Sequence, residues 1–292
     1  MTCVPAAAPL TGMTAASVRA RAENTHMAEI ATKSGSAVQW ERAEIARSSV
    51  EARLTLDASL RVSADTVRRY IKPSPNTAYP KEYSFHLLGD VSGQRVVDFG
   101  CGSGGNTVLL TRRGAHVYGL DISEDLIRLA RRRLLVSGRQ NEAAFIVGSA
   151  HDAPFPDASI DVVFGNAILH HLNLELAARE VLRILKPGGR AIFQEPVRTS
   201  AFIRFIRSLI PYQAPAVSPY ERPLTDTEIV DFARDFSHVT VQAFCLPHVQ
   251  VGRVLPLVRR AWRQLYALDS LLLRRAPALS HYASIRVISL TK

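Results

Sequence analysis

The feature that most constrains the fold is an alternation of short apolar runs with helical periods between Arg95 and Lys292. This order is typical of a parallel β-sheet whose strands are joined by crossover helices. The strands are predicted at 96–99, 116–120, 144–147, 160–164, 190–194, 239–244 and 285–290. Helices are predicted at about 104–112, 124–136, 173–185, 226–235 and 256–273. The pattern therefore indicates one doubly wound α/β domain.

The sequence before this alternation predicts two appendages. Residues 1–28 are rich in Ala, Thr and Ser without a helical or strand period, and we expect a disordered tail. Residues 29–92 contain intermittent helical periods, broken at Lys72-Pro73-Ser74-Pro75. They predict an N-terminal helical cap on a domain that spans 93–292.

The cysteines and the apolar runs narrow the class of protein. Cys3, Cys101 and Cys245 are widely separated and show neither the spacing of a zinc site nor a disulfide framework. No apolar run approaches the roughly 20 residues that span a bilayer. We therefore expect a cytoplasmic protein with no bound metal.

The net charge of +10 indicates an anionic partner only where the charge is clustered. Residues 251–276 contain six Arg and one Asp, so half of the excess lies in one short segment. The remaining charge is spread over the chain, and we expect no nucleic-acid partner.

The first predicted strand runs directly into a glycine-rich loop, DFGCGSGG, at residues 98–105. Glycines let a ligand approach the main chain, and the helix that follows offers unpaired N–H groups. Asp121, 21 residues after Gly100, ends the second strand, where a carboxylate can accept both hydroxyls of a ribose. The sequence therefore predicts an adenosine-type ligand.

Two classes of cofactor fit this loop. Gly100, Gly102 and Gly105 satisfy the GxGxxG pattern, so an NAD-dependent oxidoreductase is a competing interpretation. Asp98 favours the other class, because its carboxylate repels a pyrophosphate but attracts a cofactor that carries an ammonium and a sulfonium.

Three segments resemble, in order, the motifs of class I S-adenosylmethionine-dependent methyltransferases. They are VVDFGCGSG at 96–104, GSAHDAPFPDASIDVV at 148–163 and RILKPGG at 183–189. The resemblance is greatest to the branch that methylates quinones, polyketides, sterols and other small molecules. It implies a single Rossmann-like domain, a seven-stranded and mostly parallel sheet with an antiparallel last strand, and S-adenosylmethionine as cofactor. A chain that keeps this fold without methyl transfer is a further alternative.

The resemblance also implies individual cofactor contacts. The methionine portion would be held by Asp98, Gly100, Gly102 and Gly104, the ribose by Asp121, and the adenine by Ile122, Ser149 and the backbone N–H of Ala150. The Asn166 carbonyl would face the amino group of the cofactor. Ser149 departs from the family pattern, because many relatives carry there an Asp that accepts from the adenine amino group. We therefore expect a weaker adenine contact at Ser149.

Two histidines follow the fourth strand, at the sheet edge where ligands of such folds bind. Methylation of a hydroxyl requires a base, and His170 is predicted to serve ahead of His171. The competing interpretation is that these histidines only pack or cap the next helix. Glu195 and Asp269 are further candidates for orienting the methyl acceptor. The segment after Asn166 lacks the Pro-Pro-aromatic pattern of enzymes that methylate nucleobase or glutamine nitrogens.

In this family the N-terminal helices and insertions after the fifth and sixth strands supply the acceptor pocket. Both insertions are long here, at 197–225 and 247–282, and the second is predicted to form a helical lid. The arginines within 251–276 are either an ordinary solvated face or a contact with an anionic membrane. Asp269 lies on the apolar side of that helix, which also carries Trp262, Leu265, Leu268 and Leu272. It should have a partner, such as an arginine, or point into a polar pocket.

The sequence as a whole predicts O-methylation of a small hydrophobic or aromatic metabolite. N- or C-methylation is the alternative within the same family.

Overall fold

The computed structural model describes residues 35–55, 60–198, 222–249 and 261–292. The predicted tail at 1–28, most of the first insertion and the first residues of the lid helix lie outside these ranges. Three helices precede the sheet, namely α1 (Gly35–Leu54), α2 (Ala64–Ile71) and α3 (Pro80–Leu87). Ser63 caps α2 through its hydroxyl, and Pro80 occupies the first turn of α3, where proline is tolerated.

Strands and helices alternate through the rest of the chain. In order they are β1 (Arg95–Phe99), α4 (Gly105–Thr111), β2 (His116–Asp121), α5 (Glu124–Val136), β3 (Ala143–Val147), β4 (Ile160–Asn166), α6 (Leu174–Ile184), β5 (Leu185–Pro196), α7 (Asp226–Ala233), β6 (His238–Phe244), α8 (Trp262–Arg275) and β7 (Ile285–Thr291). Short 3-10 turns lie at Leu169–His171 and Pro277–Tyr282.

The strands form a seven-stranded sheet in the order β3-β2-β1-β4-β5-β7-β6. β7 is antiparallel to both of its neighbours, and every other pair is parallel. The predicted Rossmann-like sheet with an antiparallel last strand is confirmed. β1 and β4 are neighbours, while β1 continues through α4 toward β2 on its other side. This reversal of strand order opens a crevice at the carboxyl ends of β1 and β4, where ligands of such folds bind.

The sheet separates two apolar cores. One face is buried under α6 and α7 and includes Val97, Phe99, Val163, Phe193 and Phe232. The other face is buried under α3 and α4 and includes Phe85, Val96, Leu109, Phe164 and Ile192. Adjacent residues of β1 alternate between the two cores, as the period of a strand requires. Asp98 falls on the α3 and α4 side, within an otherwise apolar surface.

The lid helix α8 packs through a stripe that coincides only in part with the apolar side of the helical wheel. Its buried residues are Tyr266, Asp269 and Leu273, whereas Leu268 of the predicted apolar half is 44% exposed. Asp269 accepts hydrogen bonds from the backbone N–H groups of Cys245 (2.9 Å) and Leu246 (2.7 Å). The expected partner of Asp269 is therefore present, but it is the backbone and not an arginine. Two backbone donors satisfy the buried carboxylate.

Within the described ranges, no helix has the length and apolarity that a bilayer crossing requires. Of the arginines in 251–276, Arg263, Arg274 and Arg275 are exposed on α8, and the others lie outside the described residues. Contact of this segment with an anionic membrane stays a prediction.

Candidate active site

The glycine loop between β1 and α4 forms the floor of the site. Gly102 has a φ of +52°, and a Cβ built there meets no atom within 4 Å. Gly104, at the start of α4, has a φ of +78°, and its Cβ would lie 2.9 Å from Cβ of Ala130. Both positions favour glycine, since positive φ strains other residues. Gly104 lets α4 pack closely on α5, while Gly102 leaves open space above the loop.

Asp98 is fully buried at the end of β1, next to this loop. The Thr107 hydroxyl donates to its Oδ2 at 2.6 Å, whereas Oδ1 has no hydrogen-bond partner among the described residues. Burial raises the pKa of Asp98 to about 6, against the opposing effects of the Thr107 hydrogen bond and the Lys81 charge. A buried acceptor without a partner is costly, and a ligand ammonium would satisfy it.

Asp121 ends β2 and supports the loop from the adjacent strand. Its Oδ2 accepts from the backbone N–H of Gly102 at 2.8 Å, and its Oδ1 accepts from that of Ser123 at 2.9 Å. Each carboxylate oxygen has a second lone pair, so both oxygens can also accept from a ribose hydroxyl. The two backbone bonds hold the carboxylate in a fixed orientation on the pocket wall.

A cavity of about 420 Å³ lies above the loop. Of the residues that the sequence places in the site, Gly100, Gly102, Asp121, Ile122, Ser149, Ala150, Asn166, His170 and His171 line it. Asp98 and Gly104 do not line it. Its volume falls within the range of small-molecule sites, and its walls combine apolar side chains with carboxylates and backbone donors.

Helix α1 supplies a wall of this cavity through residues that the sequence analysis did not identify, although the N-terminal helices were expected to contribute to the acceptor pocket. Glu41, Glu44, Arg47 and Ser48 line the cavity, although they lie at least 50 residues before the glycine loop. His171 Nδ1 lies 3.2 Å from Glu44 Oε2. Burial acts to raise the pKa of Glu44, but the interactions with His171 and Arg47 outweigh it and lower the pKa to about 2. No local sequence signal identifies these contacts, because they depend on how α1 packs.

His170 is held from behind by a buried carboxylate. Its Nδ1 lies 2.7 Å from Glu195 Oε2, and the two side chains are 6% and 0% exposed. The other oxygen, Oε1, accepts from the backbone N–H groups of Ile168 and Leu169, both at 2.9 Å. Glu195 therefore contacts His170 and the backbone, and it does not line the cavity. Its predicted role of orienting the acceptor directly has no support in this geometry.

Ile168 joins the glycine loop to the turn that carries His170. A Cβ on Gly100 would come within 2.5 Å of Ile168 Cδ1, and one on Gly165 within 2.8 Å of Ile168 Cγ2. The chain reaches this position through Ala167, whose φ is +58°. The Ile168 side chain is therefore wedged against two glycines, one in the loop after β1 and one on the adjacent strand β4.

Comparison with known proteins agrees with this arrangement. A family model described as a methyltransferase domain matches residues 97–193. The chain is 33% identical over 193 residues to a fatty-acid O-methyltransferase of Mycolicibacterium smegmatis, covering 63% of each protein. It is 32% identical over 166 residues to a demethylmenaquinone methyltransferase of Tropheryma whipplei, covering 55% of this chain and 67% of the relative.

Among solved structures, a geranyl diphosphate C-methyltransferase from Streptomyces coelicolor A3(2) matches with a TM-score of 0.50 and 19% identity. The match covers 72% of this chain and 76% of that one, and it shows a shared fold. Over the curated relatives, the chain spans from 29% to 67% of the relative's length.

The chain belongs to the class I S-adenosylmethionine-dependent methyltransferases, whose cofactor is S-adenosylmethionine. The predicted family and cofactor are confirmed, and the NAD interpretation is set aside. The buried, unpartnered oxygen of Asp98 and the open space above Gly102 fit this cofactor.

Proposed function

We propose that this protein transfers the methyl group of S-adenosylmethionine to a hydroxyl oxygen of a small hydrophobic or aromatic acceptor, with His170 as the base. The pair of His170 and Glu195 at the cavity carries the proposal. S-Adenosylmethionine, when bound, supplies a methyl group attached to a sulfonium sulfur. The leaving group of the transfer is a neutral thioether. The protein's task is to bring the acceptor oxygen into line and remove its proton.

The contact with Glu195 determines which ring nitrogen of His170 can accept a proton. With Nδ1 as the donor to Glu195 Oε2, the neutral ring has its lone pair on Nε2. The acceptor oxygen forms the new bond to the methyl carbon, and its proton moves to Nε2. The negative charge of Glu195 stabilises the imidazolium that results, as the carboxylate does in other carboxylate–histidine pairs. The two backbone N–H groups on Glu195 Oε1 keep that carboxylate in place.

A cluster of aromatic side chains from α3, β6 and α8 supports an apolar acceptor. Phe244 ends β6 at the same edge of the sheet as the glycine loop, and the Tyr83 ring lies 5.4 Å from it. Tyr79, at the start of α3, packs against Trp262 at 5.3 Å and Tyr266 at 4.8 Å. Aromatic rings from α3, β6 and α8 therefore form one cluster, and such surfaces favour flat, hydrophobic ligands. The names of the relatives, which refer to a fatty acid and a quinone, point the same way.

The test is a methyl-donor turnover assay on a panel of a hydrophobic phenol, a hydroquinone and a long-chain fatty acid. We expect turnover of the phenol or hydroquinone, with kcat lowered about 100-fold or more in His170→Ala and the affinity for S-adenosylhomocysteine unchanged. A carboxylic acid is already ionised near neutral pH, so its methylation would not need this base.

His238→Ala is the matched control, because His238 is an exposed histidine on β6. It should retain full turnover. Full phenol turnover by His170→Ala, or methylation of the fatty acid alone, would contradict the proposed role of His170. Turnover of none of these acceptors, by a protein that binds S-adenosylhomocysteine, would contradict the acceptor class.

A further inference from the structure

We propose that Glu41 of α1 binds the cofactor, accepting a hydrogen bond from the exocyclic amino group of its adenine. The inference rests on the proposed function, because it takes S-adenosylmethionine as the ligand of the cavity. It concerns a residue outside the segment of 97–193 that the family model matches.

Two side chains hold the Glu41 carboxylate at the cavity wall. The Ser149 hydroxyl donates to Glu41 Oε1 at 2.8 Å, and His151 Nδ1 lies 3.2 Å from the same oxygen. Ser149 and His151 flank Ala150, and all four residues line the cavity. The backbone N–H of Asn173 donates to His151 Nε2 at 2.9 Å, so the imidazole is itself fixed. Since Nε2 accepts that bond, Nδ1 carries the proton and donates to Glu41.

The apolar part of the cavity places the base beside this carboxylate. The lining includes the aliphatic side chains of Leu120, Ile122, Leu126 and Ala150. The first three lie within five residues of Asp121 in the sequence, and Ala150 follows β3, the strand that pairs with β2. With the amino-acid end at the glycine loop and the ribose at Asp121, a flat purine falls among these side chains. Its amino group then needs an acceptor, because a buried donor without a partner is costly.

Glu41 is the carboxylate that stands at this end of the cavity. The other carboxylate from α1, Glu44, is engaged with Arg47 and lies beside His171, on the side of the catalytic turn. A carboxylate offers about four acceptor positions, so one held by Ser149 and His151 can still accept from a ligand. Ser149 thus differs in role from an acidic residue at its position. Its hydroxyl orients the carboxylate of Glu41, which lies on α1.

Isothermal calorimetry with two ligands tests the assignment. S-Adenosylhomocysteine has the amino group, and S-inosylhomocysteine has a carbonyl oxygen in its place. A hydrogen bond to a charged group contributes enough that Glu41→Ala should bind S-adenosylhomocysteine about tenfold or more weakly. The preference for S-adenosylhomocysteine over the inosine analogue should fall by a similar factor. A merely structural role for Glu41 would weaken both ligands equally.

Two further variants sharpen the test. Ser149→Asp in the Glu41→Ala background places a carboxylate on the same wall from the other side, and it should restore at least part of the preference. Arg42→Gln changes an exposed side chain on the same helix and should alter neither affinity. If Glu41→Ala does not fold, Glu41→Gln keeps the side-chain volume and a neutral acceptor, and it should show a smaller loss of preference.

The outcomes separate the two proposals. Wild-type protein that binds S-adenosylhomocysteine, with the ligand preference unchanged in both Glu41 variants, would overturn the role of Glu41 alone. Wild-type protein that does not bind S-adenosylhomocysteine would overturn the proposed function together with this inference.

Discussion

Replacing Asp98 with Asn should stabilise the protein at neutral pH while removing its cofactor affinity. Asp98 is completely buried, and burial raises its pKa from 3.8 to about 6. Above that pH the folded protein must keep a charge in an apolar surface, which disfavours folding. Asn has nearly the same shape and can still accept from the Thr107 hydroxyl, but it carries no charge for a ligand ammonium.

The size and sign of the effect follow from the pKa shift. Between pH 3.8 and about 6 the folded state binds more protons at Asp98 than the unfolded state does, so stability falls as the pH rises. A shift of roughly two units corresponds to about 3 kcal/mol. The variant lacks this titration. The difference in unfolding free energy, variant minus wild type, should therefore increase by about 2 kcal/mol from pH 4 to pH 7 and then level off.

Urea denaturation of both proteins at several pH values measures this difference, and groups other than Asp98 largely cancel in it. Calorimetry with S-adenosylhomocysteine at pH 7.5 should show strong binding to the wild type and at least tenfold weaker binding to the variant. Wild-type affinity should also fall as the pH drops through about 6, because Asp98 gains a proton. A stability difference that stays constant across this range would refute the argument.

Three other substitutions test the packing described above. Gly104→Ala should cost about 3 kcal/mol of stability in urea, from its positive φ and the contact with α5, and an unchanged midpoint would contradict this. Gly102→Ala should cost only about 1 kcal/mol, yet weaken S-adenosylhomocysteine binding in calorimetry, because its new methyl group projects into open space. Asp269→Ala leaves two buried backbone N–H groups without an acceptor, and a loss of about 3 kcal/mol is expected; Asp231→Ala, on an exposed helix face, is the control.

Most of the sheet could be predicted because its strands and helices differ in apolar period. The ends of strands were harder to predict where turn-forming residues lie inside a paired strand. β5 begins at Leu185, five residues before its predicted start, because Leu185 already pairs with Ile160 of β4. The pairing resumes between Val162 and Arg190 after an irregularity that contains Gly188, whose φ is +73°. In α8 the helical wheel identified only part of the buried stripe, since Tyr266 packs on the chain around Cys245 through a contact that no helical period encodes.

The residues of the site also differ in whether the sequence could predict their positions. Asp98, Asp121 and the glycines follow directly from strand ends, so their positions could be predicted from local order. Glu41 could not, because its place in the cavity depends on the packing of α1 against the loop after β3. Glu195 was recognised as a candidate residue, but its partner was not. A strand-end carboxylate can face a ligand or a neighbouring turn, and only the structure places it against His170.

The wedge formed by Ile168 has a consequence for how the site can move. Because a Cβ on either Gly100 or Gly165 would collide with that side chain, the glycine loop and the turn with His170 have little room to move apart. We therefore expect the two to move together and the spacing between methyl donor and base to stay constant. Opening for ligand exchange should then involve the covering helices, so mutations in α1 should change exchange rates more than the chemical step.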